Sequence, residues 1–232
     1  MTISIKGNAQ GGLIDANGVP AANITSGTGI PFMKNKLING EVTRINQRGV
    51  ANWSAVSNGA YGYDRWKKID ASNMTQIIEA GNFRPSTVHT LSGVGVTTQQ
   101  ITSPASGDWT LPNIPITATN VQVEEGLEAT PFEVRPIGFE LALCQRYYLN
   151  MEAFVIVAAG TAGIGQPVTQ ATYCFPVEMR AQPTLNVVPA NGINIGGIVT
   201  NASKKAIRST GTAVAAGYVY ADFTHYWASA EL

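Results

Sequence analysis

The sequence holds few charged residues, and the two signs balance. Of its 232 residues only 13% are charged, with 15 Lys and Arg against 15 Asp and Glu, whereas ordinary globular chains carry roughly 25%. A chain without net charge has no overall field that attracts nucleic acid or an acidic membrane, so a nucleic-acid-binding function is not expected. So little charge also gives a monomer few means of staying soluble. We therefore expect sister chains to cover much of the surface.

Cysteine is almost absent as well. Cys144 and Cys174 are the only two, and each follows an apolar or aromatic neighbour. Two isolated cysteines in apolar settings are more often buried free thiols than a disulfide. The count alone permits one bond, but we favour two buried free thiols.

Residues with catalytic or metal-binding spacing are also missing. His89 and His225 are the only histidines, and with two scattered cysteines they do not form the set of about four ligands that a structural zinc site needs. No G-x-S-x-G or P-loop motif occurs. The adjacent Glu124 and Glu125 would point to opposite faces of a strand, so they would not flank one glycosidic bond. We expect no enzyme, no metal and no cofactor.

The sequence also lacks long apolar runs. No stretch approaches the roughly 18 apolar residues of a membrane-spanning helix. The beginning of the sequence lacks the charged and apolar regions of a secretory signal. We therefore expect a protein that is made in a cytoplasm and does not insert into a membrane.

The sequence does contain many turn and strand residues. It has 24 Gly and 12 Pro, which separate short segments rich in Thr, Val and Ile. Short strands at regular spacing with turn signals are typical of β-sandwiches. The pattern predicts an all-β fold with two β-sandwich regions, one on each side of residues 121–148.

The stretch 121–148 also holds the only convincing helical pattern. An extended run ends at Pro136, which cannot sit inside a helix. Over Phe139–Tyr148 apolar side chains recur at close to 3.6-residue spacing. Glu140 lies at the N-terminal end, where the helix dipole favours a carboxylate. The spacing predicts one short helix that joins the two β regions.

Residues 1–34 are poor in strand signals and rich in Gly, Asn, Ala and Ser. Asn17-Gly18 is a hairpin-turn signal, but the flanking apolar residues are too few for an independent fold. Such an arm is either disordered or ordered against another surface. The sequence does not separate the two alternatives.

Aromatic residues cluster early in the chain, at Trp53, Tyr61, Tyr63 and Trp66. With Arg65 they would suit a platform that stacks on a sugar ring. In the alternative interpretation Tyr63 and Trp66 belong to the core, and Arg65 pairs with a carboxylate such as Asp64 or Glu133. Aromatic side chains dominate small β cores, so we favour the core interpretation.

Several segments carry a resemblance to a known family. Residues 129–148, ATPFEVRPIGFELALCQRYY, resemble a segment of bacteriophage tail-fibre and tail-spike proteins that closes a jelly-roll module and opens the C-terminal receptor-binding domain. Residues 35–40 with 47–49 resemble the opening of that module, and 63–66 resemble its Y-x-x-D-R-W element with one residue fewer. Residues 175–184 are similar to the F-P-V-x-M-R-x-x-P-T strand of the C-terminal domain. We call the residues that carry the likeness up to position 148 the signature residues. They are Asn35, Arg48, Asp64, Arg65, Trp66, Pro131, Phe132, Glu133, Arg135, Cys144, Gln145, Arg146, Tyr147 and Tyr148.

The resemblance implies a phage virion protein that forms a homotrimer. Its parts would be an N-terminal attachment and oligomerisation arm at 1–34, a reduced jelly-roll module at 35–136, a linking helix at 137–148 and a C-terminal β-sandwich knob at 149–232. The arm would bind other virion proteins of the tail or capsid, and the knob would recognise the host surface, with a glycan favoured over a protein. The alternative is a head fibre, capsid-decoration or adaptor protein with a mainly structural role.

Candidate ligand contacts lie in the C-terminal region. They are Tyr218, Tyr220, His225, Tyr226 and Trp227, together with the loops 160–167 and 191–201. Few charges and several aromatic residues suit a neutral saccharide, which is bound by stacking and by hydrogen bonds from amides and hydroxyls. For Tyr226 and Trp227, packing against a sister subunit is an equal alternative.

Overall fold

The computed structural model describes residues 33–151, 158–168 and 172–232, together with two short strands at 6–7 and 13–14. Within the strands, only the backbone is described at 6–7, 13–14, 158–160, 187–191 and 223–225. The chain divides into two units, Met1–Lys34 and Asn35–Leu232. In the first unit the two short strands pair in antiparallel fashion. The predicted turn at Asn17-Gly18 lies outside the described residues.

The predicted all-β fold is confirmed. In the described residues a single α-helix, α1 (Ile137–Gln145), and one 3-10 turn (Trp53–Ala55) accompany the strands. The strands are β1 (Lys6–Gly7), β2 (Leu13–Ile14), β3 (Lys67–Lys68), β4 (Asn73–Thr75), β5 (Ile77–Ile78), β6 (Val88–Val94), β7 (Gln99–Thr102), β8 (Trp109–Thr110), β9 (Ile114–Pro115), β10 (Thr119–Glu125), β11 (Tyr148–Met151), β12 (Ala158–Ala162), β13 (Pro167–Val168), β14 (Thr172–Cys174), β15 (Thr184–Ile193), β16 (Ile195–Ala202), β17 (Ala206–Ala213) and β18 (Gly217–Ser229).

The first β region, residues 35–136, contains three small antiparallel sheets with strand orders β10-β6-β7, β3-β4-β9 and β5-β8. On β10 the alternation expected from the sequence is present, because Val121 and Val123 both point into the core with 0% exposure. The next residue, Glu124, lies on the opposite face and accepts a hydrogen bond from the Thr130 amide at 2.7 Å. The largest core side chains of this region are Leu37, Trp53, Tyr63, Trp66, Met74, Leu91, Trp109 and Ile114.

Helix α1 begins where the predicted linking helix 137–148 begins, two residues before the helical pattern 139–148, and it ends three residues earlier than both. It starts directly after Pro136, which cannot sit inside a helix. It ends before Tyr148, which pairs with Ser229 in a sheet. The helix buries Glu140 and Cys144, which lie one turn apart on the same face.

The C-terminal β region is organised around the long strand β18. β11 and β12 pair with one edge of β18 and β15 with the other, while β13, β14 and β16 pair with β17. Tyr226 and Ala228 on β18 and Ile207 on β17 belong to one buried cluster. The two sheets therefore pack face to face in a sandwich-like arrangement. Of the predicted strand 151–159, residues 152–157 lie outside the described part.

Candidate functional site

The signature residues meet around α1, although they are widely separated in the sequence. Arg65 is buried and forms an ion pair with Glu231 near the end of the chain. Its guanidinium lies over the Tyr147 ring, 3.6 Å from the ring centroid, and donates to the Ile77 carbonyl at 2.6 Å. The expected partner of Arg65, Asp64 or Glu133, was wrong. The true partner belongs to the last residues of the chain, which fold back onto the first β region.

Arg48 approaches the same carboxylate from the other side. Its guanidinium lies 3.1 Å from Glu231 and stacks on the Tyr148 ring at 3.6 Å from the centroid. The Tyr61 hydroxyl donates to the Leu232 carbonyl at 2.6 Å. Two guanidinium groups and the Tyr61 hydroxyl thus hold residues 231 and 232 against the first β region.

Asp64 and Trp66 lie beneath this contact and are fully buried. The Gln47 backbone N–H and side-chain amide each donate to Asp64 at 2.6 Å. Burial raises the pKa of Asp64 above its usual value, and the Gln47 hydrogen bonds oppose that rise. Trp66 donates its indole N–H to the Asn39 carbonyl at 2.8 Å. The core interpretation of Tyr63 and Trp66 is therefore confirmed, and Trp53 joins them in that core.

A second group of signature residues surrounds Arg135. This buried guanidinium lies 3.4 Å from Glu133 and 3.3 Å from Glu140 of α1. It also donates to the carbonyl of Leu37 at 2.9 Å and to that of Asn35. Arg135 therefore joins the start of the helix to the start of the first β region.

A third group joins the end of α1 to both β regions. Arg146 pairs with Glu79 at 2.9 Å, and the Tyr147 hydroxyl donates to the same carboxylate at 2.7 Å. Burial, the largest cause, raises the pKa of Tyr147 to about 12. The backbone N–H of Arg180 donates to the Arg146 carbonyl at 2.8 Å. Of the other signature residues, Pro131 is exposed.

Phe132 and Gln145 complete the signature set, and both are partly exposed. Cys144 is buried, and burial raises the pKa of its thiol well above the usual value. Cys174 is exposed, so the expectation that both thiols are buried was wrong for it, whereas the expectation that both are free is confirmed. Cys174 lies on β14, a short strand that pairs with β17 on one side only.

In the described residues His89, Glu124 and Glu125 each have a structural contact. His89 is buried against the Trp109 ring, 4.9 Å between centroids, and burial lowers its pKa. Glu124 and Glu125 lie on opposite faces as expected, since Glu124 is buried and Glu125 pairs with Arg84. Within the described ranges, no three His, Cys, Asp or Glu side chains are close enough to bind a metal. No described helix is long and apolar enough to span a membrane.

Part of the predicted ligand set meets at one end of the C-terminal sheets, here called the tip (turns 163–166, 193–195 and 213–217). Gly165 donates to the Ala213 carbonyl at 2.8 Å, and Val214 donates to the Asn194 carbonyl at 2.9 Å. The Asn194 side chain donates to the Tyr218 carbonyl at 3.0 Å. Within the predicted loops 160–167 and 191–201 only 163–166 and Asn194 are turns, and these turns lie beside Tyr218. The prediction of a loop was wrong for most of 191–201, which belongs to β15 and β16.

The tip is apolar and exposed. Ile164 is 70% exposed, Val214 60% and Tyr218 54%. Tyr220 is partly exposed and stacks on Tyr218 with 6.5 Å between ring centroids. The tip thus presents aromatic and aliphatic surface without charged side chains in its three turns.

The remaining predicted contacts lie toward the other end of β18. The pairing between β15 and β18 is irregular at two adjacent points, between Val188 and Pro189 and between Pro189 and Asn191, after which the original register resumes. At the first point β18 carries an extra residue between the paired positions 223 and 225, and such a bulge changes which of its later residues face the core. Tyr226 is consequently only 1% exposed and packs on Tyr173, so its assignment as a ligand contact was wrong. Trp227 is partly exposed, and the His225 side chain lies outside the described residues.

An open cleft lies between the turn 46–49 and the outer face of the β11–β18 sheet edge. Its volume is about 620 Å³. One wall is the turn and the other is the sheet, with Trp227 paired to Asn150 across the strands. The lining residues are Asn46, Gln47, Arg48, Gly49, Tyr148, Asn150 and Trp227.

Sequence reasoning named only Trp227 of this cleft as a ligand contact and missed its amide residues. A signal for Asn150 was present, because Tyr148 and Asn150 are two positions apart on one strand and so share a face. The turn residue Asn46 gave no such signal. Its side chain exchanges hydrogen bonds with the backbone of Val50, which fixes the turn.

No family model, curated protein or solved structure matches the chain. The signature networks, the tip and the cleft are accordingly the features from which a function is inferred.

Proposed function

We propose that the chain is a phage fibre-like virion protein. It forms a homotrimer, attaches to the particle through residues 1–34 and presents its C-terminal region to the host surface, where it recognises a saccharide. The signature residues support this proposal, because segments that are far apart in the sequence but share the family pattern are in contact. Arg135 pairs with Glu140 of α1. Arg65 stacks on Tyr147, just after the helix.

The exposed surface of the C-terminal region agrees with recognition rather than chemistry. Tyr218 and Tyr220 present stacked rings, and an aromatic ring can stack on the apolar face of a sugar. Trp227 offers another such ring in the polar cleft. A sister chain is the expected neighbour of α1, since Ile137 and Phe139 are 52% and 42% exposed.

The test is binding of the purified, fluorescently labelled chain to bacterial strains, with competition against phage adsorption. The molar mass of the sample is first measured by light scattering, and the mass of three 24.5 kDa chains is expected. Saturable cell binding that blocks adsorption supports the proposal. A properly trimeric sample that binds none of the strains on which the phage grows would overturn it.

The alternative function, a head fibre, decoration or adaptor protein, draws on one observation. Met1–Lys34 form a unit of their own, as an attachment segment would. Particles assembled with a chain that lacks residues 1–34 distinguish the two. Loss of the protein from tails favours the fibre, and loss from capsids favours the decoration protein.

A further inference from the structure

We propose that the cleft beside the turn 46–49 is a binding site for a neutral saccharide, with the sugar ring on Trp227 and its hydroxyls on side-chain amides. The inference rests on the proposed function and assigns its recognition step to one site. That site is distinct from the tip, where the sequence-based candidates Tyr218 and Tyr220 lie.

The first observation is a row of three side chains across the outer face of the sheet. Trp227 pairs directly with Asn150 on β11 and with Asn186 on β15. Directly paired residues in an antiparallel sheet point to the same face and lie about 5 Å apart. An indole ring is thus flanked on both sides by a carboxamide. A sugar has a matching arrangement, an apolar ring face bordered by hydroxyls.

Burial along β18 places the row on the outside. Tyr226, Ala228 and Ala230 have 1%, 0% and 6% exposure, whereas Trp227 between them is partly exposed. Asn186 is exposed. The tryptophan of the row therefore faces the cleft rather than the core.

The second observation is the charge of the cleft floor. Arg48 lines the cleft, but its guanidinium already pairs with Glu231 and stacks on Tyr148. Arg65 shares that carboxylate, and the buried Asp64 lies beneath the same turn. Two guanidinium groups and two carboxyl groups leave no net positive charge when all are ionised. The cleft therefore offers little electrostatic attraction to an anionic ligand, and a neutral ligand does not depend on such attraction.

The third observation is hydrogen-bonding capacity. The Asn150 amide donates to the Gln47 carbonyl at 2.7 Å, which fixes the side chain. Its buried oxygen, Oδ1, has no hydrogen-bond partner among the described residues. Hydroxyl groups donate and accept, so a sugar can satisfy such an acceptor. The volume of about 620 Å³ lies within the range of small-molecule sites, roughly 300–1,000 Å³.

Tryptophan fluorescence reports on this cleft selectively. Of the four tryptophans, Trp53, Trp66 and Trp109 are buried, and Trp227 is the partly exposed one. The full chain is titrated with glucose, galactose, mannose and N-acetylglucosamine, and with glucuronic acid and N-acetylneuraminic acid as charged comparators. We expect a saturable change in emission with at least one neutral sugar and weaker binding of the acids.

Variants then locate the binding. Asn186→Ala keeps the fluorescent reporter and removes one hydrogen-bonding group from an exposed position, so we expect the Kd to rise about fivefold. Binding to the Trp227 variants, which lack the fluorescent reporter, is measured by calorimetry. Trp227→Ala should raise the Kd about tenfold or more, and Trp227→Phe should retain part of the affinity. Asn113→Ala removes an exposed amide from the first β region and should leave the Kd unchanged.

The outcomes separate the two proposals. Wild-type chain that blocks phage adsorption, while Asn186→Ala and Trp227→Ala chains block it equally well, overturns the cleft assignment and leaves the proposed function standing. Wild-type chain that binds no cells overturns the proposed function. Tighter binding of an acidic sugar, no saturable response to any sugar of the panel, or a sister chain seated in the cleft each overturns the inference.

Discussion

The two β regions of the unit Asn35–Leu232 are built from different kinds of side chain. The first fills its core with large residues, among them Trp66 and Met74 at 0% exposure. The described core of the second mixes large residues such as Tyr226 and Met179 with several small ones such as Ala221 and Ala228. Both place some apolar residues on the surface, but in the second they gather at the tip.

Charge follows the same division. The buried ion pairs of Arg65 and Arg135 both involve the first β region, whereas Lys205 and Glu178, within the second, form an exposed pair. The first region thus has the core and the internal pairs to stabilise itself. The second region is stabilised in part by the first, because Glu231 pairs with Arg65. We expect contacts with sister chains to stabilise the second region further. Four measurements test this difference between the two regions.

The largest effect is expected from Arg65→Ala. Removing this guanidinium leaves the Glu231 carboxylate buried with only the partly exposed Arg48, and breaking a buried pair typically costs about 3–5 kcal/mol. Urea unfolding of the full chain measures the loss in free energy of unfolding. The control Arg48→Ala should lose less. A loss below about 1 kcal/mol for Arg65→Ala, which is typical of exposed pairs, would contradict the assignment.

Truncation of aliphatic side chains tests the comparison directly. Leu91→Ala in the first core, at 0% exposure, should lower the free energy of unfolding by about 2–5 kcal/mol. Ile193→Ala at the tip, where the side chain is 50% exposed, should change it by about 0.5 kcal/mol or less. Equal losses in the two variants would mean that the tip is covered in the assembly, and the contrast between the regions would fail.

The α1 surface tests the dependence on sister chains. The helix carries apolar residues on several sides but buries only Glu140 and Cys144, and a helix that is apolar all round is normally buried. Phe139→Ser should therefore lower the mass measured by light scattering, with little effect on the fold of one chain. Gln145→Ser on the same helix serves as the control. A trimer that survives Phe139→Ser would place the subunit contacts elsewhere.

The smallest effect is expected from pH. Burial lowers the pKa of His89 below its usual 6.5. Its contribution to stability is therefore complete above about pH 6.5 and is lost as the pH falls through the folded-state pKa, because only the unfolded chain takes the proton. His89→Gln should flatten that part of a plot of melting temperature against pH. Parallel curves for the two chains would refute it.

Local patterns in the sequence predicted the parts of the fold that local physics decides. The alternation at Val121 and Val123 marked a half-buried strand, and the period near Glu140 marked a helix. The helix bounds were wrong by a few residues, since Tyr148 is a sheet residue through its pairing with Ser229. That pairing joins positions far apart in the sequence, and no local pattern contains it.

The candidate site was less predictable for the same reason. Alternation along β18 placed Tyr218 and Tyr220 on one face correctly, but two adjacent irregularities in the pairing with β15 interrupt that alternation before Tyr226 and Trp227, of which only Trp227 is partly exposed. A bulge depends on the partner strand, and its position was not marked in the sequence. The likeness to phage fibres marked Arg65 as a signature residue but did not predict its pairing with Glu231. A sequence motif covers only a few neighbouring residues, and these two residues are far apart in the sequence.

The pairing of Arg65 with Glu231 has a consequence for synthesis of the chain. The two residues are 166 positions apart, so at a translation rate of about 5–20 residues per second the arginine waits roughly 8–33 s for its carboxylate. During that time the first region emerges from the ribosome with a guanidinium that it cannot bury at low cost. The pair therefore forms only after residue 231 has been synthesised, and a product truncated before that residue would lack it.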